Sequence, residues 1–564
     1  MNTTPWGFRD ILPEEAQVRE EIAASVRACF KARGYLPVET PLLEDPRALA
    51  GAGRAVDTPF KLFDDDGRLL AVRSDNTLPI VRLVAARLRD AELPLRLRYE
   101  APLVRSQPRN VGAARQFTQL GFELIGLGGV EGDVEMLELV IDALRALDLS
   151  SWRIVAGSVR PFMKLLACAA DEALARDLIE LVHANDFVDL DARLAEADLA
   201  ESLRRAISEL PRLHGGVAVL DRVDALLAAA GITESQTDEL RALAERFATY
   251  SAQGSFSFDF SIMNSFDYYT GLVFKAYASG MADPVGSGGR YDAALEGAFS
   301  GAGQVPAAGF AFSLERLEDA LDAGDAAQGA SADHAVVRTA EEALRIAVPK
   351  GSLKGGTVEA LAAAGFDVSE LVDPGRRLIV RGRDLHAPDA ADFVGDVEFV
   401  IVRATDAPAF VAAGGADCGF CGRDSLIEAN LNLLELIDMG YGACRFIEAE
   451  PAGREGLAER AYARRGALRV ATKYPRIARA WYERRGITAD IVTLHGNIEL
   501  GPIVGMTDRI VDITATGTTL RENDLVITGE IMECTARFFA NPGRARLDAR
   551  LHALTARLEA VRSL

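Results

Sequence analysis

Along "EEAQVREEIAASVRACFKARGY" apolar residues recur at helical spacing and stop at Gly34, so a helix ending there is expected. "RLRYEAPLVR" and "QFTQLGFELIG" read as neighbouring strands with an irregular loop between them. From Ser158 to about Tyr250 the chain turns Ala- and Leu-rich at helical period, which predicts an inserted or appended helical unit. Strand signals return in "GSFSFDFSIM" and "GLVFKAYA". Residues 321–342, "LDAGDAAQGASADHAVVRTAEE", have the Ala, Gly, Ser and Asp content of a flexible connector, so the main boundary is placed there. Beyond it "LRIAVPKG" opens a strand, Gly-rich turn, helix alternation. "LRVATKYP", "ITADIVTL" and "DRIVDITATG" are β-branched runs suited to a buried mixed sheet. No internal repeat relates the two halves. The pattern predicts a multidomain chain, α+β first and α/β after the connector.

Length and charge narrow the function classes. At 564 residues the chain exceeds one core and should hold roughly two to four domains. A net charge of −21 argues against broad contact with a nucleic-acid backbone. The first residues, "MNTTPWGFRDILPEE", lack the basic and apolar regions of a secretory signal, and no apolar run reaches the ~18 residues of a membrane span. A soluble, cytoplasmic protein is expected. Six scattered cysteines fit a reducing compartment. Cys418 and Cys421 form a lone C-x-x-C with no second ligand pair at zinc spacing, so both are read as small buried residues.

The sharpest chemical signal is "DRIVDITATGTTLREN". A strand runs to Asp512, then Thr514, Thr516, Gly517, Thr518 and Thr519 precede a helical start. Amides freed by a Gly turn, with hydroxyls beside them, cradle a phosphate, and the carboxylate can accept from ribose hydroxyls. The plainer alternative is a polar turn with Thr caps. Lys350, Arg376, Arg377 and Arg403 follow or flank strands of the same half, and Glu499 lies in "LHGNIELGP". Singly each is a surface charge; together they suggest an anionic ligand.

Residues 344–564 resemble the short form of ATP phosphoribosyltransferase, through "AVPKG", "VRATDAPAFVAAGGADCGFCGRDSLIE", "LIDMGYGACRF", "VATKYP", "GNIELGP" and "DITATGTTLREN". The resemblance implies a catalytic domain over 343–564 with two α/β lobes like periplasmic binding proteins, the second lobe at about 445–530. It implies ATP and phosphoribosyl pyrophosphate as substrates, with Mg²⁺ on their phosphates and no metal ligand assigned to the protein. It assigns Thr516–Thr519 to the 5′-phosphate, Asp512 to ribose, Glu499 to ATP or its ribose, and Lys350, Arg376 and Arg403 to the reacting groups. Ser352 departs from the family's usual arginine in "PKGR", removing one anionic contact.

The first 320 residues resemble histidyl-tRNA synthetase, a class II synthetase with an antiparallel sheet and here a helical insert at about 158–250. The matching pieces are "GFRDILP", "GYLPVETPLLE", "VRSDNTLPIVR", "VRSQPRNVGAARQFTQLGFELIG", "FDYYTGLVF", "GSGGRYDAALE" and "PAAGFAFSLERL". By resemblance Asp75, Thr77, Gln119, Glu123, Tyr268, Tyr269 and Tyr291 hold a histidine. The activation residues are broken: the Arg–Glu pair of motif 2 reads Arg105 and Gln107, a further motif arginine is Ala113, the catalytic arginine is Asn264, and a motif 3 glycine is Ser313. Histidine recognition needs none of them. This resembles the regulatory subunit of short-form ATP phosphoribosyltransferases, fused to its enzyme. The expectation is a phosphoribosyltransferase with a histidine effector site, no nucleic-acid or membrane partner, and at least a homodimer through the first half. The rivals are a synthetase-like enzyme with an unrelated ligand-binding tail, and a pure ligand-binding protein.

Overall fold

The expected first helix forms as Pro13–Ala32. Pro13 opens it where a missing N–H costs nothing, and Glu14 and Glu15 meet the positive end of its dipole. Gly34 follows with φ of +82°, a left-handed stop that a side chain would strain. The computed structural model describes residues 4–46, 60–107, 114–149, 151–262, 269–278, 281, 283–297, 299, 303–329, 343–454, 456–514 and 517–562. These fall into two units, Met1–Glu342 and Ala343–Leu564.

Among the described residues of the first unit, nine strands make one sheet. Its centre is antiparallel: Leu95–Val104 pairs with Gln116–Ile125, which pairs with Ala307–Ser313, then Gly286–Arg290, then Leu272–Ala278, then Trp152–Ser158. The two strands read as neighbours are thus paired directly. Helices Arg160–Ala169, Glu172–His183, Phe187–Glu196, Glu201–Glu209, Val219–Ala229 and Asp238–Arg246 make the helical segment. Asp171 and Asp186 cap two of them by accepting from backbone N–H groups. Helix Leu314–Gly329 takes in the first residues of the stretch expected to be a connector. "LDAGDAAQG" joins Leu, Ala and Gln, good helix formers, so continuing the preceding turn outweighs its two glycines. Residues 330–342 lie outside the described ones.

The second unit holds two sheets. In the first, Leu344–Pro349 lies parallel between Val397–Val402 and Cys418–Gly422, with antiparallel Ile379–Gly382 at the edge. Ala536–Ala540 returns antiparallel between Cys418–Gly422 and Leu434–Asp438. In the second, Arg509–Thr514 lies between parallel Leu468–Thr472 and antiparallel Cys444–Pro451, which also pairs with Leu525–Cys534. The chain passes from the first sheet to the second after Asp438 and comes back after Cys534. Cys418 and Cys421 are buried on one strand, three residues apart and so on opposite faces.

Arg557 of the last helix, Ala549–Arg562, ties the ends of the second unit together. Its guanidinium donates to both Asp384 oxygens at 2.9 and 3.0 Å and to the Ala364 carbonyl at 2.7 Å, over the Phe366 ring. Burial alone would raise the Asp384 carboxyl, but Arg557 and the N–H groups of Val394 and His386 hold it down at about 2. Truncation at Arg557→Ala leaves the buried carboxylate without its counter-charge, held only by backbone N–H groups, and urea unfolding should show a loss of about 3–5 kcal/mol. Because the folded value lies below that of unfolded aspartate, about 3.9, the pair's contribution is present above about pH 4 and disappears as pH falls towards 2. Acid titration of the variant should lack that component of the wild-type loss.

Candidate functional site

In the first unit the candidate residues meet where three glycines thin the sheet. A Cβ at Gly309 would stand 1.8 Å from the Glu123 carboxylate, one at Gly121 2.3 Å from the Tyr99 ring, and one at Gly289 2.7 Å from the Tyr269 ring. Glycine at these positions makes room for an acid and two aromatic rings. Glu123 is fully buried, accepting from Thr77 Oγ1 at 2.9 Å and from Tyr291 Oη at 2.5 Å. Burial pushes its carboxyl up to about 8, and the nearby Asp75 adds to the rise against the hydroxyl donors. Asp75 is itself raised by burial, with Arg105 pulling the other way. Burial and the Glu123 charge hold the Tyr99 and Tyr291 phenols well above their ordinary range. The result is an acidic pocket of hydroxyls and aromatic rings, suited to a small cation with N–H groups.

Asp75, Thr77, Glu123, Tyr269 and Tyr291 are brought together; Tyr268 lies outside the described residues. Gln119 lines an adjoining cavity of about 280 Å³ with Arg105, Gln107, Ser313 and Arg316. Among the described residues the buried Gln119 Oε1 finds no hydrogen-bond donor. Acids offset the cavity's cations: Asp283, Glu315 and Asp319 also line it, and Arg316 pairs with Asp283 at 3.4 Å. Among the described residues the lining therefore carries two cations against three acids. Ala113 and Asn264 lie outside the described residues.

In the second unit two groups of candidates stand on different sheets. Lys350 and Arg403 follow the parallel strands Leu344–Pro349 and Val397–Val402, whose last residues, Pro349 and Val402, are in register. The antiparallel edge strand pairs Ile379 with Val400, and Ile401 N donates to Leu378 O at 2.8 Å. Arg376 therefore approaches the same end of this sheet, and all three cations are exposed. On the second sheet Asp512 is half-buried near the end of Arg509–Thr514. Burial pushes its carboxyl up to about 6; Glu499 adds to the rise and Lys473 opposes it. Thr514 Oγ1 accepts from Gly517 N at 2.9 Å, and Gly517, at φ of +70°, turns the chain into helix Thr518–Glu522. Thr518 and Thr519 are exposed in its first turn; Thr516 lies outside the described residues.

Sequence reasoning gave no role to Tyr99, Lys473, Tyr474 or Asp424. Lys473 stands by Asp512, and Tyr474 by Asp424, whose carboxyl burial raises. "VATKYP" and "RLRYEAP" were visible, but only the fold shows that these side chains face the acids.

Comparison with known proteins agrees with both halves. Residues 7–317 match the Histidyl-tRNA synthetase family and residues 403–560 the ATP phosphoribosyltransferase family. An ATP phosphoribosyltransferase of Rubrobacter xylanophilus is 48% identical over 204 residues, 36% of this chain and 89% of that protein. An ATP phosphoribosyltransferase regulatory subunit of Moorella thermoacetica is 36% identical over 317 residues, 56% of this chain and 80% of that one. A solved structure, an ATP phosphoribosyltransferase regulatory subunit/histidyl-tRNA synthetase from Bacillus halodurans, matches with TM-score 0.51 at 29% identity, over 64% of this chain and 89% of that chain. The chain thus belongs to the histidyl-tRNA synthetase family through its first unit, alongside the regulatory subunits, and to the ATP phosphoribosyltransferase family through its second.

Proposed function

We propose that the first unit holds free histidine as an effector of the reaction run by the second. That reaction is ATP phosphoribosyl transfer in histidine biosynthesis, with the first unit as its regulatory part. The observation carrying the effector reading is Glu123, a fully buried carboxyl that accepts from the Thr77 and Tyr291 hydroxyls and that burial raises to about 8. A histidine ammonium or imidazolium would supply the missing charge, with Asp75 and Gln119 Oε1 as further acceptors.

In the second unit the two sheets would act as periplasmic-binding-protein-like lobes. The Thr514–Thr519 turn takes the 5′-phosphate, and Asp512 with Glu499 accepts from ribose hydroxyls. As N1 of adenine bonds to C1 of the phosphoribosyl group, the C1–O bond breaks and its electron pair leaves with pyrophosphate. Lys350, Arg376 and Arg403 stabilise that growing negative charge. The Asp512–Glu499 end is short of positive charge, since burial and the Glu499 charge hold Asp512 at about 6 against the Ile513 N–H and Lys473. It therefore fits a substrate whose phosphates carry Mg²⁺, which would neutralise the leaving group. A cytoplasmic homodimer is proposed; exposed Leu36, Leu42 and Leu43 within "GYLPVETPLLE" support an apolar contact there.

With ATP, phosphoribosyl pyrophosphate and Mg²⁺, the ultraviolet change of the adenine should report product, and added histidine should lower the rate. Measurable histidine binding without any effect on product formation would defeat the sensor claim. In Arg403→Ala turnover should fall by about a hundredfold or more, with the circular dichroism spectrum and histidine binding unchanged. In Glu123→Gln calorimetry should show histidine bound about ten- to a hundredfold more weakly, while turnover without histidine stays at the wild-type level. Since Glu123 must ionise to hold a cation and does so at about 8, histidine affinity should strengthen as pH rises from 6 to 8. The same raised value means that the empty first unit loses stability over this interval, and bound histidine should offset the loss in thermal melts.

A further inference from the structure

The two passages between the sheets of the second unit run side by side. Met439 N donates to Ala536 O at 2.9 Å, and Ala536 N donates to Tyr441 O at 2.9 Å. Thr535 Oγ1 donates to Asp438 at 2.6 Å, and Arg537 pairs with Asp438 at 2.7 Å. The passages thus form a two-stranded ribbon, which continues on the far side as the pair Cys444–Pro451 and Leu525–Cys534. The first rung of that continuation is Cys444 opposite Cys534. Residues directly opposed in an antiparallel pair point to one face with Cα atoms about 4.5–5.5 Å apart, inside the range that a disulfide spans. Both sulfurs are free thiols; Cys534 is buried and Cys444 partly exposed.

We propose that Cys444 and Cys534 are a reversible oxidation site, closed to a disulfide by low-molecular-weight disulfides, and that closure stiffens the ribbon joining the two halves of the catalytic unit. The Cys444 thiolate attacks one sulfur of the small disulfide and releases the other as a thiolate. Cys534, deprotonated, then attacks Cys444 Sγ and releases the second thiolate. The two protein protons end on the two released thiols, and two electrons pass from the protein sulfurs to the reagent. The order follows from the surroundings. The Cys534 thiol donates to the Cys444 sulfur, which lowers the Cys444 thiol against the effect of burial, and only Cys444 has partial access to solvent. Asp424 faces both sulfurs, Tyr474 faces Cys444 and Arg423 faces Cys534, so the rung sits at the seam where the two halves touch. Substrate groups assigned to different sheets require the halves to adjust to each other, and the ribbon is the covalent path between them.

The test is to incubate the full chain with oxidised glutathione, digest it without reduction, and identify linked peptides by mass while following turnover. The expected result is one peptide pair joined through Cys444 and Cys534, with turnover lowered about three- to tenfold and restored by dithiothreitol. Cys444→Ser should keep the reduced turnover of the wild type and show no response to the oxidant; Cys534→Ala, read by the same mass assay, should yield only a glutathione adduct on Cys444. Adducts on Cys168 or Cys29 without the Cys444–Cys534 link would overturn the site. A complete link that leaves turnover unchanged would overturn the stiffening. The activity arm rests on the transferase reading, whereas the peptide masses decide the disulfide even in a chain with no turnover.

Discussion

A charge taken out of water must meet an opposite charge or enough hydrogen bonds, and this requirement organises both units. Arg290 and Asp133, both nearly inaccessible, pair at 2.8 Å beneath the first sheet, and burial still holds Asp133 at about 6. Arg509 gathers Glu448, Glu450 and Glu459 across the second sheet of the other unit, and Tyr482 donates to Glu448. Arg537 joins Glu435 to Asp438 beside the ribbon, and Arg557 fixes Asp384. Each arginine fixes the register of elements far apart in sequence, because removing either partner strands the other. Glu123 meets the requirement in another way. Its donors are the Thr77 and Tyr291 hydroxyls, and burial raises its carboxyl to about 8.

The same reasoning separates the two cavities of the first unit. Glu123 and Asp75 form a buried acidic cluster whose carboxyls burial raises, whereas the described lining of the neighbouring cavity sets Arg105 and Arg316 against Asp283, Glu315 and Asp319. An enzyme that activates an amino acid must stabilise a crowded, highly charged phosphate in the second space. Here Gln107 and Ser313 line that space without adding charge.

Much of this was legible along the chain because strands and their ends carry local signals. "DRIVDITATG" is strand then turn by its β-branched run and glycine, and it forms Arg509–Thr514 followed by Gly517 at positive φ. What was not legible depends on pairing across the sheet. Nothing near Tyr99 in the sequence says that it faces Glu123; the register Tyr99 to Gly121, with no side chain on Gly121, does. Lys473 likewise lies 39 positions before Asp512 and meets it because parallel strands Leu468–Thr472 and Arg509–Thr514 are neighbours. The stretch 321–329 reads as connector by its glycines and small residues, whereas the helix begun at Leu314 runs through it to Gly329. A helix already started at Leu314 needs only propagation, which is far less demanding than nucleation.

Joining the two functions in one chain has a consequence of its own. Separate subunits must find each other, and their occupancy then depends on concentration; a covalent link makes the encounter intramolecular and fixes the ratio at one regulatory unit to one catalytic unit. It does not by itself supply any coupling. Any effector can bias the catalytic unit only by binding one of its states more tightly than another, and the substrates must then weaken that effector to the same degree. The physical requirement is therefore a catalytic unit with two arrangements of similar free energy. In that unit the two sheets, joined by a ribbon of two passages, are where two such arrangements would differ.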